Sequence, residues 1–200
     1  MTLGQRFVRF ATDVVVRRPA LWRLFRGPIR RQFDRLAPKW ESIRGPDFLA
    51  PLEAALDRLP TLPQSVLDVG TGTGAAARLA GERYPEADVV GVDVAERMVD
   101  QAKRLTDSPR VTYKTADAER LPFDDASFDL VTLNNMIPFF GELARVVSPN
   151  GHLVVAFTGG SGTPIYVPPE RLRRELGRRG FAEFAEVSAG RGTALLARKS

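Results

Sequence analysis

Three aspartates and one glycine loop hold most of the chemistry that this chain can perform. Asp68 lies inside the apolar run VLDV, and Gly70, Gly72 and Gly74 follow it in the alternation GTGTG. Glycines let the backbone turn sharply and let a ligand approach the main chain. A helix starting behind such a loop points its first N–H groups at the ligand, so the loop suits an anion. Asp68 stands two residues before the first glycine, where it would repel a pyrophosphate. It suits a ligand that carries a cation beside its carboxylate. Asp93 ends the next apolar run, where a carboxylate can accept from both hydroxyls of a ribose. Asp117 follows the third run, placed to accept from the exocyclic amine of a purine. Simpler roles exist for each. GTGTGA also fits the looser G-x-G-x-x-G/A dinucleotide pattern or a turn with no ligand. Asp93 has a helix-capping role open to it, and Asp117 that of a plain loop residue.

The elements that must position these groups follow from periodicity. VLDVG, ADVVGVD (87–93), RVTYKTA, FDLVTLN (128–134) and HLVVAFT read as short strands. Helical stretches separate them at 74–84, 95–105 and 138–147, and a further helix is expected over 168–180. Alternating strands and helices predict an α/β fold, a mostly parallel sheet covered on both faces. FAEFAEVSA and TALLARK are adjacent and predict an antiparallel hairpin at one edge. Ahead of them, Leu3, Phe7, Phe10 and Val14 recur at helical spacing up to Pro19. Gly27-Pro28 and Pro38 are expected to break the next helical segments, and PDFLAPLEAALDRL predicts a helix ending near Pro60. The division that follows is a basic helical arm over 1–60 and a ligand-binding domain over 61–200.

Charge is unevenly distributed along the 200 residues. Residues 1–45 hold eleven Lys/Arg against three Asp/Glu, a net of +8, whereas the whole chain carries +5. The high isoelectric point therefore belongs to the arm, and the body is slightly acidic. That argues against a general affinity for nucleic acid. Cysteine is absent, which fits a reducing cytoplasm and excludes a disulfide framework. With one histidine, His152, there is no His-rich metal centre to expect. His152 starts the fifth strand, at the amino edge of the sheet and away from the candidate ligand residues, so it is read as structural.

Amino acid, ribose and adenine together describe S-adenosylmethionine. The chain resembles the class I S-adenosylmethionine-dependent methyltransferases, most closely the small-molecule branch with ubiquinone/menaquinone-type C-methyltransferases. VLDVGTGTG, VVGVDVAERMVDQAK, TADAERLPFDDASFDLV and ELARVVSPNGHLVVAF carry the resemblance in the family's order, over about 65–158. It implies a Rossmann-like sandwich with seven strands in the order 3-2-1-4-5-7-6, the last antiparallel. It also implies that Asp68, Gly70, Thr71, Gly72 and Gly74 line the methionine part, and that Asp93 binds the ribose. Val94 and Met98 would pack on the adenine; Asp117 and the Ala118 backbone would read its edge. Asn134 would give main-chain contacts near the methionine end. For Met98, plain helix core is an equal expectation.

Departures from the family bear on the acceptor. Asn134-Asn135 with Phe139 fails the N-P-P-[YF] signature of amino-group methyltransferases, because Met136-Ile137 fill the middle. The segment before ELARVV is short, which removes pocket wall. TGGSGTPIYVPP (158–169) reads as a lid or as a connector. Tyr166, Phe139 and Phe140 read as pocket aromatics or as core, and Asp124, Asp125 and Asp129 as a solvated turn and strand entry. No residue is assigned as a general base. The expected acceptor is a small molecule, with a lipid-soluble one compatible. An RNA or protein acceptor, a non-catalytic cofactor-binding module and a nicotinamide dehydrogenase are the competing readings. The arm suits a cap over the cofactor site, a peripheral contact with an anionic membrane, or an acidic partner. Oligomeric state leaves no signature in the sequence.

Overall fold

A computed structural model describes residues 3–200; Met1 and Thr2 of the arm lie outside the described residues. Seven strands form one sheet in the order β3-β2-β1-β4-β5-β7-β6. They are β1 (Ser65–Val69), β2 (Asp88–Asp93), β3 (Val111–Thr115), β4 (Phe128–Asn134), β5 (Val147–Phe157), β6 (Phe181–Ala189) and β7 (Gly192–Lys199). The first five pair in parallel, and β7 runs antiparallel to both β5 and β6. The expected class I methyltransferase sandwich and its strand order are thus observed.

Strands buried on both faces read as near-continuous apolar runs, and four of the five β1 residues are buried. Alternate residues serve opposite faces. Leu67, Val69, Val131, Leu133, Leu153 and Val155 pack with Val15 and Val16 of α1 (Leu3–Arg17), Trp22 and Ile29 of α2 (Trp22–Leu36), and the later helices α7 (Phe140–Val146) and α8 (Pro169–Gly177). Val66, Leu130 and Val154 pack on the other face. Its cover is α4 (Ala50–Leu56), α5 (Ala75–Arg83) and α6 (Glu96–Arg104), with the one-turn α3 (Trp40–Ile43) preceding them. Alanines at 76, 77 and 80 let α5 lie close on the sheet.

Two expectations about the arm need correction. Helix α2 runs unbroken through Gly27-Pro28. The proline forfeits only the bond to the Leu24 carbonyl. Leu24 and Pro28 face solvent, where water serves that oxygen, while Trp22 and Ile29 stay buried and hold the helix down. The helix expected up to Pro60 is shorter, spanning Ala50–Leu56. The arm is also part of the core, since Ala11, Val15, Val16, Trp22 and Ile29 share one apolar cluster with the sheet.

Candidate active site at the carboxyl rim of the sheet

The chain leaves β1 toward β2 on one side and returns through β4 on the other, so the order reverses between β1 and β4. Ligands of open α/β sheets bind in the crevice outside the carboxyl ends at such a point. Asp68, Asp93, Asp117 and Asn134 all stand at or just beyond those ends. β5 begins at Val147, so His152 lies within the strand and not at its start, but it pairs with Leu130 near the start of β4, away from the carboxyl rim.

Asp68 is 2% exposed. Its Oδ1 accepts from the Thr132 hydroxyl at 2.9 Å. Its Oδ2 and Asn134 Oδ1 lack a well-formed hydrogen bond among the described residues, and the Thr71 hydroxyl, also without one, stands close enough to ease the Asp68 charge. A buried polar atom left unpaired costs about 1–3 kcal/mol, so the unmet acceptors Asp68 Oδ2 and Asn134 Oδ1 mark a rim where donors are expected. Burial pushes the Asp68 carboxyl up to about 6, against opposing interactions with the Thr71 and Thr132 hydroxyls and the Ala77 amide. An ammonium group would relieve this cost. The orphaned acceptors fit the amino-acid end of S-adenosylmethionine.

The loop amides behave differently from expectation. Gly70 N–H and Thr71 N–H both donate to the Val92 carbonyl at 2.9 Å, and Gly74 N–H donates to the Thr71 carbonyl. Gly72 N–H donates to Asp93 Oδ2 at 2.9 Å. The Gly70, Thr71 and Gly72 amides are spent on tying the loop to β2 and the Gly74 amide on a turn within the loop, so none of the four is free to take an anion. The glycines instead serve shape. Gly70 has φ +74°, and a Cβ there would stand 2.7 Å from Met136 Sδ. Gly74 has φ +84°, and its Cβ would meet the Tyr113 hydroxyl at 2.5 Å.

Asp93 is half-buried. Its Oδ1 accepts from Ala95 N–H at 2.9 Å and its Oδ2 from Gly72 N–H. Burial pushes it up to about 6, and these two amides pull it back. Each oxygen keeps one in-plane lone pair, so the carboxylate clamps the loop and can still accept two hydroxyls. Val94 is half-buried beside it. Met98 is fully buried against Ala95 and Ala37, with Phe33, Leu36 and Trp40 of the arm packed around them.

Asp117 is held by the arm. Its Oδ1 accepts from Trp22 Nε1 at 2.8 Å and from Glu119 N–H at 3.0 Å. Its Oδ2 accepts from Arg26 Nη1 at 2.9 Å. Ala118 is buried next to it. Trp22 rests edge-on against Phe139, their ring centroids 5.5 Å apart. Phe139 and Phe140 are buried in the core cluster, with Tyr166 packed against it.

Sequence reasoning missed the groups the arm brings over the loop. Glu41 Oε1 meets the Thr73 hydroxyl at 2.5 Å, and Trp40 Nε1 lies 3.5 Å from where a Gly72 Cβ would sit. Arg78 donates to the Thr73 carbonyl at 2.7 Å. Arg9 donates to the carbonyls of Ser161 and Tyr166, fastening α1 to the loop after β5. The contacts made by Glu41 and Arg9 span 32 to 157 residues, and no local pattern announces them. Asp125 stays solvent-exposed and makes a surface pair with Arg145 at 2.9 Å, whereas Asp129 is engaged, its Oδ2 accepting from Gln64 and Ser65 N–H.

Comparison with known proteins agrees with this geometry. A family profile described as a methyltransferase domain matches residues 66–151. The demethylmenaquinone methyltransferase of Thermus thermophilus is 36% identical over 137 residues, 62% of this chain and 62% of that protein. A malonyl-[acyl-carrier protein] O-methyltransferase of Methylovorus sp. is 33% identical over 66% of this chain and 50% of its own length. The chain therefore spans between half and two thirds of the length of these relatives. A solved S-adenosylmethionine-dependent methyltransferase from Aquifex aeolicus superposes with a TM-score of 0.66 at 21% identity, covering 82% of this chain and 98% of that one. Residues 66–151 thus match a methyltransferase domain, and the strand order together with the solved neighbour gives the sheet the fold of the class I S-adenosylmethionine-dependent methyltransferases.

Proposed function

We propose that the chain is an S-adenosylmethionine-dependent methyltransferase acting on a small, apolar molecule, with residues 1–60 capping the site built by 61–200. The observation that carries this is the buried Asp68 carboxylate, whose Oδ2 lacks a well-formed hydrogen bond, at the same carboxyl rim as the unpaired Asn134 Oδ1. In the assignment that follows, Asp68 takes the ammonium and the Asn134 end of β4 borders the methionine. Gly70, Thr71, Gly72 and Gly74 shape the floor. Asp93 takes the ribose hydroxyls, Val94 and Met98 back the adenine, and Asp117 with the Ala118 backbone reads its edge. The bound cofactor supplies a methyl on a sulfonium, which leaves as a neutral thioether. The chain's own task is to hold an acceptor in line with that methyl and keep water out. A screen with labelled methyl over quinone, phenol, amine and RNA acceptors tests the reading. Transfer to an apolar quinone or phenol is the expected result, and transfer to RNA alone would overturn the acceptor class.

The acceptor class also motivates a membrane contact. Phe7 and Phe10 are 41% and 59% exposed, and both touch the Phe25 ring; Leu24 beside it is 63% exposed. Arg6, Arg17, Arg23, Arg30 and Arg31 lie on the same two helices and face solvent. Apolar side chains ringed by arginine suit an anionic bilayer surface. No described helix is long and apolar enough to cross a membrane. The expected result is flotation with phosphatidylglycerol vesicles, reduced at least about fivefold by Phe7→Ser with Phe10→Ser. Equal flotation of parent and variant would remove the contact. Substitution is preferable to deletion here, because the arm contributes to the core.

A further inference from the structure

Asp117 is a carboxylate with almost all of its accepting capacity in use. Two N–H donors, from Trp22 at 2.8 Å and Glu119 at 3.0 Å, occupy Oδ1. Arg26 occupies one side of Oδ2 at 2.9 Å. A carboxylate oxygen has two in-plane lone pairs, so a single one remains, on Oδ2. Two of the three donors come from α2, more than 90 residues away along the chain. Trp22 is 2% exposed, and its ring is fixed against Phe139. The donor is thus rigid, and it sets the plane in which the remaining lone pair points.

We propose that Trp22 and Arg26 are positioning residues that aim the one free lone pair of Asp117 at the 6-amino group of the cofactor's adenine, so that the N-terminal arm sets base selectivity. The inference rests on the reading of Asp117 as the adenine acceptor. A 6-amino purine offers a donor to that lone pair. A 6-oxo purine offers an oxygen acceptor at the same place, and two acceptors facing each other repel. Sites built to bond one polar group reject an analogue lacking it far more strongly than apolar pockets do. If the aim of the lone pair is lost, Asp117 can swing and rejection weakens.

The test is calorimetric titration of the full chain with S-adenosylhomocysteine and S-inosylhomocysteine, which differ at position 6. The parent is expected to favour the adenosyl form by roughly 100-fold. Trp22→Phe keeps a ring on Phe139 and removes only the N–H. It is expected to reduce that preference about tenfold, chiefly by weakening the adenosyl form. Arg26→Gln, at a half-exposed position, is expected to move the ratio the same way without touching the core. Equal weakening of both ligands by both variants would mean that the residues only support the fold, and would overturn the proposal. Tighter adenosyl binding in Trp22→Phe would overturn it in the opposite sense, since the indole would then compete with the amine. Asp117→Asn separates the two layers. If it leaves the ratio unchanged, the adenine assignment of Asp117 fails and the proposal with it. If it collapses the ratio while the arm variants do not, only the proposal fails.

Discussion

Asp93→Ala will weaken binding of S-adenosylhomocysteine by at least about 100-fold, or roughly 3 kcal/mol. The parent carboxylate has two tasks. It offers one free lone pair on each oxygen to the ribose, and bonds to charged groups contribute roughly 1.5–3 kcal/mol each. It also clamps the glycine loop to the start of α6, through Gly72 N–H and Ala95 N–H. Alanine removes both, leaving two amides to find other partners and the loop free to move off the ligand. Asp93→Asn will fall between, since its one oxygen cannot serve both amides and both hydroxyls. The check is titration of all three proteins alongside their ligand-free melting temperatures, which isolate the clamp. Affinity of Asp93→Ala within threefold of the parent would remove the ribose assignment.

How this clamp was and was not legible shows where sequence reasoning stops. Asp93 was visible because it ends a strand, and the register Val69↔Val92 sets it opposite the loop. The seven strands were visible for the same reason: apolar runs of a few residues alternate with helical spacing, and both are local signals. Gly91 was not. A Cβ there would lie 2.6 Å from Thr71 Oγ1 and 2.7 Å from Tyr113, so this glycine makes room for side chains from two other segments. Helix α2 was misjudged because Gly-Pro is a strong local breaker, while the burial of Trp22 and Ile29 that overrides it depends on the finished fold. The spent amides at Gly70 and Thr71 were invisible too, because their acceptor, Val92, becomes a neighbour only when β1 and β2 pair. The candidate aspartates could be read one at a time. The arm that governs Asp117 could not, since its contacts exist only between distant segments.

The second large effect concerns protonation of Asp68. Its folded value is about 6, raised chiefly by burial, whereas an unfolded aspartate titrates near 3.9. Between roughly pH 4 and 6 the folded, ligand-free protein therefore holds a proton that the unfolded chain has released. Stability from this group is greatest at the acid end and declines as pH rises through 6. Binding runs the other way. An ammonium prefers the ionised carboxylate, so affinity for S-adenosylhomocysteine will rise from pH 5 to 7 and level off by pH 8. Asp93, also near 6, adds a second proton to that slope. Asp68→Asn fixes the first group as neutral. At pH 8 it will bind about 10- to 100-fold more weakly, the loss of one buried charged bond. At pH 5, where the parent's Asp68 is mostly protonated, the gap will shrink by about tenfold. The ligand-free variant will be at least as stable as the parent at pH 8, because it no longer buries an unpaired charge. Weaker binding joined to undiminished stability is the signature of a group kept for its ligand. A variant that melts lower at pH 8 and keeps the parent's full pH slope would mean that Asp68 serves the core and that the ammonium is held elsewhere.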